Sequence, residues 1–167
     1  MCQENADAFV HAIFHDVGKP RQEALAFEVS PIVKRSLLCA ERLEEWAAPQ
    51  IIEGHIPEDQ WRPVVYKNAK GPVLLIAPWN YPMMLSLQPL YAAIAAGCPA
   101  VVKPSELAPA YGRLLAELVP KYLDPGAYAV VNGAVLETTK LLSLRWAHIF
   151  YTGNGRVGRI IARAAAE

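Results

Sequence analysis

This 167-residue sequence predicts an α/β fold with a parallel sheet. Three observations carry that expectation. Short, continuously apolar runs such as Val73-Leu74-Leu75-Ile76 and Ala100-Val101-Val102 read as strands buried on both faces. Stretches with helical spacing of apolar residues lie between them. The strand starts at Val73, Ala100 and Tyr128 recur at nearly equal intervals, close to the ~30 residues of one strand–helix–strand unit. No sequence repeat accompanies that interval, so it reflects architecture. The expected fold is an incomplete, doubly wound parallel sheet of about four strands, preceded by an N-terminal helical segment over residues 1–62.

The N-terminal segment reads as helix because Phe9, Ile13 and Phe14 fall at spacings suited to one helical face. Gly18-Lys19-Pro20 stops it. A second apolar series runs through Leu25, Val29, Ile32, Val33, Leu37, Leu38 and Leu43 and ends near Trp46. Pro31 lies inside it, so a break or kink is expected at Ser30-Pro31. Ala47 to Trp61 reads as loop. Residues 63–70 form a separate segment in which Val64 to Lys70 reads as a strand with polar members.

Residues 71–167 carry the alternation. After the Gly71-Pro72 turn comes the strand Val73 to Ile76, then a helix from about Pro82 to Ala96 closed by Gly97-Cys98-Pro99. The strand Ala100 to Val102 ends at Lys103-Pro104, and a helix follows from about Pro109 to Tyr122. Tyr128 to Val131 is a third strand, closed by Asn132-Gly133 and followed by a short helix, Leu136 to Leu142. His148 to Tyr151 is a fourth strand, and Gly153 to Gly158 turns into a last helix, Arg159 to Ala166.

Composition narrows the function classes. The chain is 53% hydrophobic and 19% charged, which excludes a disordered or low-complexity protein. Sixteen basic residues balance sixteen acidic ones, so no basic excess points to nucleic acid. No apolar run approaches the ~18 residues of a membrane span. The N-terminus, with Glu4 and Asp7, does not read as a signal peptide. Three cysteines (Cys2, Cys39, Cys98) without a CxxC pair fit neither a disulfide framework nor a cysteine zinc site, and suit a reducing cytoplasm.

In parallel sheets ligands sit beyond the carboxyl ends of the strands, so the residues after each strand carry the information. Gly153-Asn154-Gly155-Arg156-Val157-Gly158 is a GxGxxG between a strand and a helix, where backbone N–H groups face a pyrophosphate. A plain helix start is the alternative, evenly weighted. Lys103 beside Glu106 offers a cation for phosphate or ribose hydroxyls and a carboxylate that accepts from ribose. A weak surface ion pair is the competing reading. Asn80, between Trp79 and Tyr81, either caps a helix, the favoured reading from spacing alone, or presents an amide donor that stabilises an oxyanion. His11 and His15 are four apart, but with no third ligand a solvated helix face outweighs a metal site.

Taken together, Pro78-Trp79-Asn80-Tyr81-Pro82, the run Ala95 to Glu106 and Tyr151-Thr152-Gly153-Asn154 resemble the aldehyde dehydrogenase superfamily. The Asn-Tyr-Pro and Lys-Pro-Ser-Glu forms are most similar to its class 3, fatty-aldehyde branch, as is Asp16-Val17-Gly18-Lys19-Pro20. The likeness runs from about Ala8 to Glu167. It implies a Rossmann-like domain that binds NAD or NADP. Residues 63–70 would belong to the family's oligomerisation region, giving a homo- or hetero-oligomer. Ile76 to Trp79 would line the nicotinamide side, and Asn80 would be the oxyanion-hole amide. Lys103 and Glu106 would bind the adenosine ribose, with Gly133 and Val157 flanking the adenine. Gly153 and Asn154 would meet the pyrophosphate, at a position where many relatives carry Ser.

The reaction so implied is oxidation of an aldehyde to a carboxylic acid. It needs a cysteine thiolate, a hydride acceptor and a glutamate-activated water. In the family the cysteine and glutamate lie downstream of the segment matched by Gly153, and the sequence ends soon after Gly158. The expectation is therefore a cofactor-domain portion, inactive alone, meeting aldehyde only when completed by the missing domain. Its alternatives are a non-catalytic nucleotide-binding pseudoenzyme and an interaction partner pairing through Tyr66 to Lys70. Cys98 and Cys39 read as packed residues and Cys2 as a mobile terminal one, none of them a nucleophile. Apolar surface left without cover makes association an expected property.

Overall fold

A computed structural model describes residues 1–52, 54 and 61–166. Helix α1, Ala6–Val17, ends at Gly18, whose φ of 68° supplies the left-handed closing turn. Its buried face is Phe9, Val10, Ala12 and Ile13. Phe14, expected on that face, is 60% exposed, since one step beyond Ile13 rotates it off the stripe.

After α2 (Arg21–Ala24) the chain makes one π-helical turn, Leu25–Val29, and passes directly into α3, Ser30–Ala47. The expected break at Ser30-Pro31 is absent. Pro31 instead follows the π-helical turn inside a continuous helix, where its missing N–H leaves a carbonyl of that turn without a helical partner, and the irregularity falls one turn earlier as the wider π register. That register turns Glu28 inward to complete burial. Only Ile32 of α3 is fully buried, and Leu37, Leu38 and Leu43 lie exposed on its outer length.

The stretch read as loop from Ala47 to Trp61 contains a short strand, β1 (Gln50–Ile51). It pairs antiparallel with β2, which is only Val64–Val65 rather than the whole of Val64 to Lys70. Within that stretch, residues 53 and 55–60 lie outside the described residues.

The main sheet follows the prediction closely. Its strands are β3 (Val73–Ile76), β4 (Ala100–Lys103), β5 (Tyr128–Val130) and β6 (His148–Tyr151), all parallel, in the order β5-β4-β3-β6. The helices between them are α4 (Pro82–Ala95), α5 (Pro109–Tyr122) and α6 (Val135–Leu142), and α7 (Gly155–Ala164) follows β6. The chain builds outward from β3 to β5, then returns to place β6 on the other side of β3. That reversal of strand order is a topological switch point.

Alternation along β3 divides the core. Val73 and Leu75 pack with Ala100, Val102 and the apolar faces of α1, α4 and α5. Leu74 and Ile76 point the other way, to a smaller cluster with Leu141 of α6 and Ile161 of α7. Both faces of the central strand are thus covered, as its continuous apolar run requires.

Two helices of the larger layer begin alike. Both α4 and α5 open with proline, after Tyr81 and Ala108, neither of which has a side chain able to cap. The missing caps come from the N-terminal segment. Glu28 Oε2 accepts from Met83 N–H at 2.8 Å and Met84 N–H at 3.3 Å. Asp16 accepts from Ala110 N–H at 3.1 Å and Tyr111 N–H at 2.8 Å. Both carboxylates are buried and meet the positive end of a helix dipole.

Candidate functional site

Register brings the first site residues together. Ile76 pairs with Lys103 on one side and Tyr151 on the other, so the three end their strands at one level. Ile76 belongs to the α6/α7 face, and paired neighbours on a pleated sheet share a face. Beyond them lies a cleft of about 610 Å³, bounded by the β3–α4 turn, the Ser105–Leu107 segment, α6 and the start of α7.

Ile76, Trp79, Asn80, Lys103, Glu106, Gly153, Asn154 and Val157 all line this cleft. Gly133 does not; it lies just behind the wall, next to the lining residue Ala134. The sequence reading missed Tyr151, Val135, Thr138, Thr139 and Ile160. Of these, Tyr151 was legible as the residue ending an apolar strand, while the α6 and α7 residues emerge only from the helix orientations.

Lys103 is 4% exposed, and its ammonium has no unused donor. It donates to Pro104 O at 2.7 Å, Gly133 O at 2.9 Å and Glu106 Oε2 at 3.3 Å. It thereby ties the ends of β4 and β5 together. The longest of the three bonds is to the half-exposed Glu106 carboxylate, which faces solvent on its other side. The pairing is not the surface bridge of little worth considered above, since one partner is buried.

Gly133 is held by close approach. A Cβ there would lie 2.6 Å from Glu137 Cβ. Glu137 Oε2 accepts from Ala134 N–H at 2.8 Å and so caps the start of α6. Its own backbone N–H and that of Ala134 hold the Glu137 carboxyl below its usual range.

The glycine segment departs from expectation. The last helix begins at Gly155, not Arg159, so Gly158 lies inside it. Asn154 is its cap: Oδ1 accepts from Val157 N–H at 3.0 Å. Gly155 and Arg156 N–H have no protein acceptor among the described residues, while Gly153, Asn154 and Val157 beside them line the cleft. At Gly153 a Cβ would stand 2.6 Å from Tyr151 Cζ, because the phenol folds over the turn and donates to Asn154 O at 3.1 Å. Burial pushes the Tyr151 phenol up.

Asn80 is not a helix cap. Tyr81 holds the cap position of α4, and Glu28 receives the free N–H groups there. The Asn80 carboxamide has no partner among the described residues, while its backbone oxygen accepts from Lys19 Nζ at 3.2 Å. The amide donor is thus left free at the cleft edge.

No cysteine lines the cleft. Cys98 is buried on the opposite layer, and burial holds the Cys2 thiol above its ordinary value, away from thiolate. No group of three His, Cys, Asp or Glu residues is placed to hold a metal among the described residues. No helix among them is long and apolar enough to cross a membrane.

The donor set fits a dinucleotide. Apolar walls from Leu107, Val135, Val157 and Ile160 suit a planar base, Glu106 suits ribose hydroxyls, and the α7 N-terminus suits a pyrophosphate. Comparison with known proteins identifies relatives of the whole chain. Aldehyde dehydrogenase family 3 member H1 of Arabidopsis thaliana is 41% identical over 167 residues, which is 100% of this chain and 34% of that protein. Family 3 member A2 of Mus musculus is 42% identical over the same 167 residues, again 34% of its length. The chain spans about a third of the length of these curated relatives.

The substrate-bound state of Staphylococcus aureus AldH shares the fold with a TM-score of 0.91 at 34% identity, covering 98% of this chain and 36% of that one. The NAD+ complex of an aldehyde dehydrogenase from Bacillus cereus gives 0.86 at 26% identity, covering 99% and 33%. The family pattern described as "Aldehyde dehydrogenase family" matches residues 1–167 from end to end. With fold, motif order and whole-chain similarity all in agreement, this chain belongs to the aldehyde dehydrogenase family.

Proposed function

We propose that the chain supplies the NAD(P)-binding cleft and the oxyanion-binding amide of an aldehyde dehydrogenase that oxidises an aldehyde to a carboxylic acid. The observation that carries this reading is the convergence of residues from four separated segments on one cleft at the switch point of the sheet. NAD(P), when bound, supplies the hydride acceptor. The protein's own groups bind and orient it. Glu106 accepts from the adenosine ribose, and Lys103 fixes the Glu106 carboxylate. Gly153 and Asn154, at the start of α7, meet the pyrophosphate, and Ile76 to Trp79 line the far end of the cleft. Asn80 offers its amide N–H to the oxygen that becomes negative when a nucleophile adds to the aldehyde.

The required thiolate has no place among the cleft-lining residues, so the 167 residues bind cofactor without turning over aldehyde. Residues 63–70, of which Val64–Val65 pair with β1, are the proposed contact with a second subunit. Three unpaired cysteines support a reducing compartment. We favour the cytoplasm, although a family 3 member I1 relative carries the name chloroplastic. Calorimetric titration with NAD+ and NADP+, paired with an aldehyde-dependent NAD(P)H assay, tests the reading. Saturable binding without turnover is expected. Turnover by these 167 residues would refute the assignment of the nucleophile elsewhere, and absence of binding by the folded chain would refute the cleft.

A further inference from the structure

We infer that Lys19 and Glu28 are positioning residues for the Asn80 turn, acting from the N-terminal helical segment on the edge of the cleft. Lys19 is 8% exposed and Glu28 is 0% exposed, and Nζ lies 2.5 Å from Oε1. Neither is itself among the residues that line the cleft. A buried pair of this kind is weak evidence for stability, because desolvation offsets much of the attraction. Its remaining contacts explain its place.

They fall on four residues around the start of α4: Asn80, Tyr81, Met83 and Met84. Lys19 Nζ donates to Asn80 O at 3.2 Å and lies 3.6 Å from the centre of the Tyr81 ring. Glu28 Oε2 takes the N–H groups of Met83 and Met84. The two charges therefore grip the turn on both sides of Pro82. Asn80 has its backbone oxygen anchored while its carboxamide stays unpartnered at the cleft. An amide intended for a developing negative oxygen must be held in place before reaction, by contacts other than its own. The π-helical turn at Leu25–Val29 gains a reason here, since it carries Glu28 to this point.

This inference rests on the reading of Asn80 as an oxyanion donor, but its test does not need catalysis. Side-chain amide and indole signals of the 15N-labelled 167-residue chain report on the turn directly, with Asn80→Asp assigning the amide. Lys19→Met is expected to shift or broaden the Asn80 amide and Trp79 indole signals, and Lys19→Arg to restore them in part. Asp16→Asn, which weakens the equivalent carboxylate cap on α5, is expected to lower the melting temperature and leave both signals in place. Equal responses to Lys19→Met and Asp16→Asn, or none to Lys19→Met, would overturn the inference. Should Lys19→Met fail to fold, Lys19→Gln carries the test: it keeps a polar donor but loses the charge and the reach to Asn80 O, and is expected to displace the Asn80 signals in a folded chain. Unmoved signals in folded Lys19→Gln would then overturn the inference. NAD(P) titration fails or succeeds independently of these signals, so the two readings fall separately.

Discussion

Asp16 Oδ2 accepts a hydrogen bond from the Tyr111 backbone N–H at 2.8 Å, across 95 positions of sequence. Glu28 does the same for Met83, and both helices served begin with proline after a residue that cannot cap. The N-terminal segment thus holds the two helices of the larger layer by their first turns.

Removing these carboxylates should cost unequal amounts. Asp16→Ala leaves two helix N–H groups unpaired and should lower stability by about 1–3 kcal/mol. Glu28→Ala also strands the buried Lys19 charge, and about 3–5 kcal/mol is expected. Urea unfolding of both variants measures the difference, and the Glu28 variant should be the weaker.

Cofactor affinity should depend on Glu106 without the fold depending on it. Its side chain is half exposed, so Glu106→Ala should melt within a few degrees of the parent chain. Loss of a charged hydrogen bond to ribose should weaken NAD(P) binding by about 1.5–3 kcal/mol. Parallel melting and calorimetric titrations check both halves.

Gly133→Ala should loosen the start of α6. The added Cβ meets Glu137, whose carboxylate caps Ala134 N–H, and Gly133 O is one of the three acceptors of Lys103. Faster amide exchange at Ala134 and weaker NAD(P) binding are expected, with β3 exchange unchanged.

The pH profile should respond to two named groups. Glu137 has a lowered folded pKa, so its contribution is present above the ordinary glutamate value near ~4.3 and is lost as pH falls through the folded value. Glu137→Gln should flatten part of the acid limb. Tyr151 has a raised folded pKa, so its contribution is present below the ordinary tyrosine value near ~10 and is lost as pH rises through the folded value. Tyr151→Phe should flatten the alkaline limb. Melting temperature against pH reads both.

The sheet was legible because its strands are continuous apolar runs, and the helix Pro109–Tyr122 and strand His148–Tyr151 fall where periodicity placed them. Trp79, Asn80, Lys103, Glu106, Gly153 and Asn154 were legible because they end or follow strands, whereas Val157 rested on the family resemblance. What escaped was long-range. Nothing local in Asp16 or Glu28 marks them as caps for helices begun dozens of residues later. A two-residue strand such as Gln50–Ile51 has too few positions to show alternation. Leu37, Leu38 and Leu43 repeat with helical spacing, yet α3 extends past the layer that would cover them.

The central claim is that the cleft at the ends of β3, β4 and β6 binds NAD(P). It is tested most directly by following backbone amide signals of the 15N-labelled chain during NAD+ and NADP+ titration. Saturable shifts are predicted at Glu106, Gly153, Asn154 and Arg156, with Ser36 and Tyr91, in the groove between α3 and α4, unmoved. No saturable shift in the folded chain, or shifts confined to Ser36 and Tyr91, would contradict it.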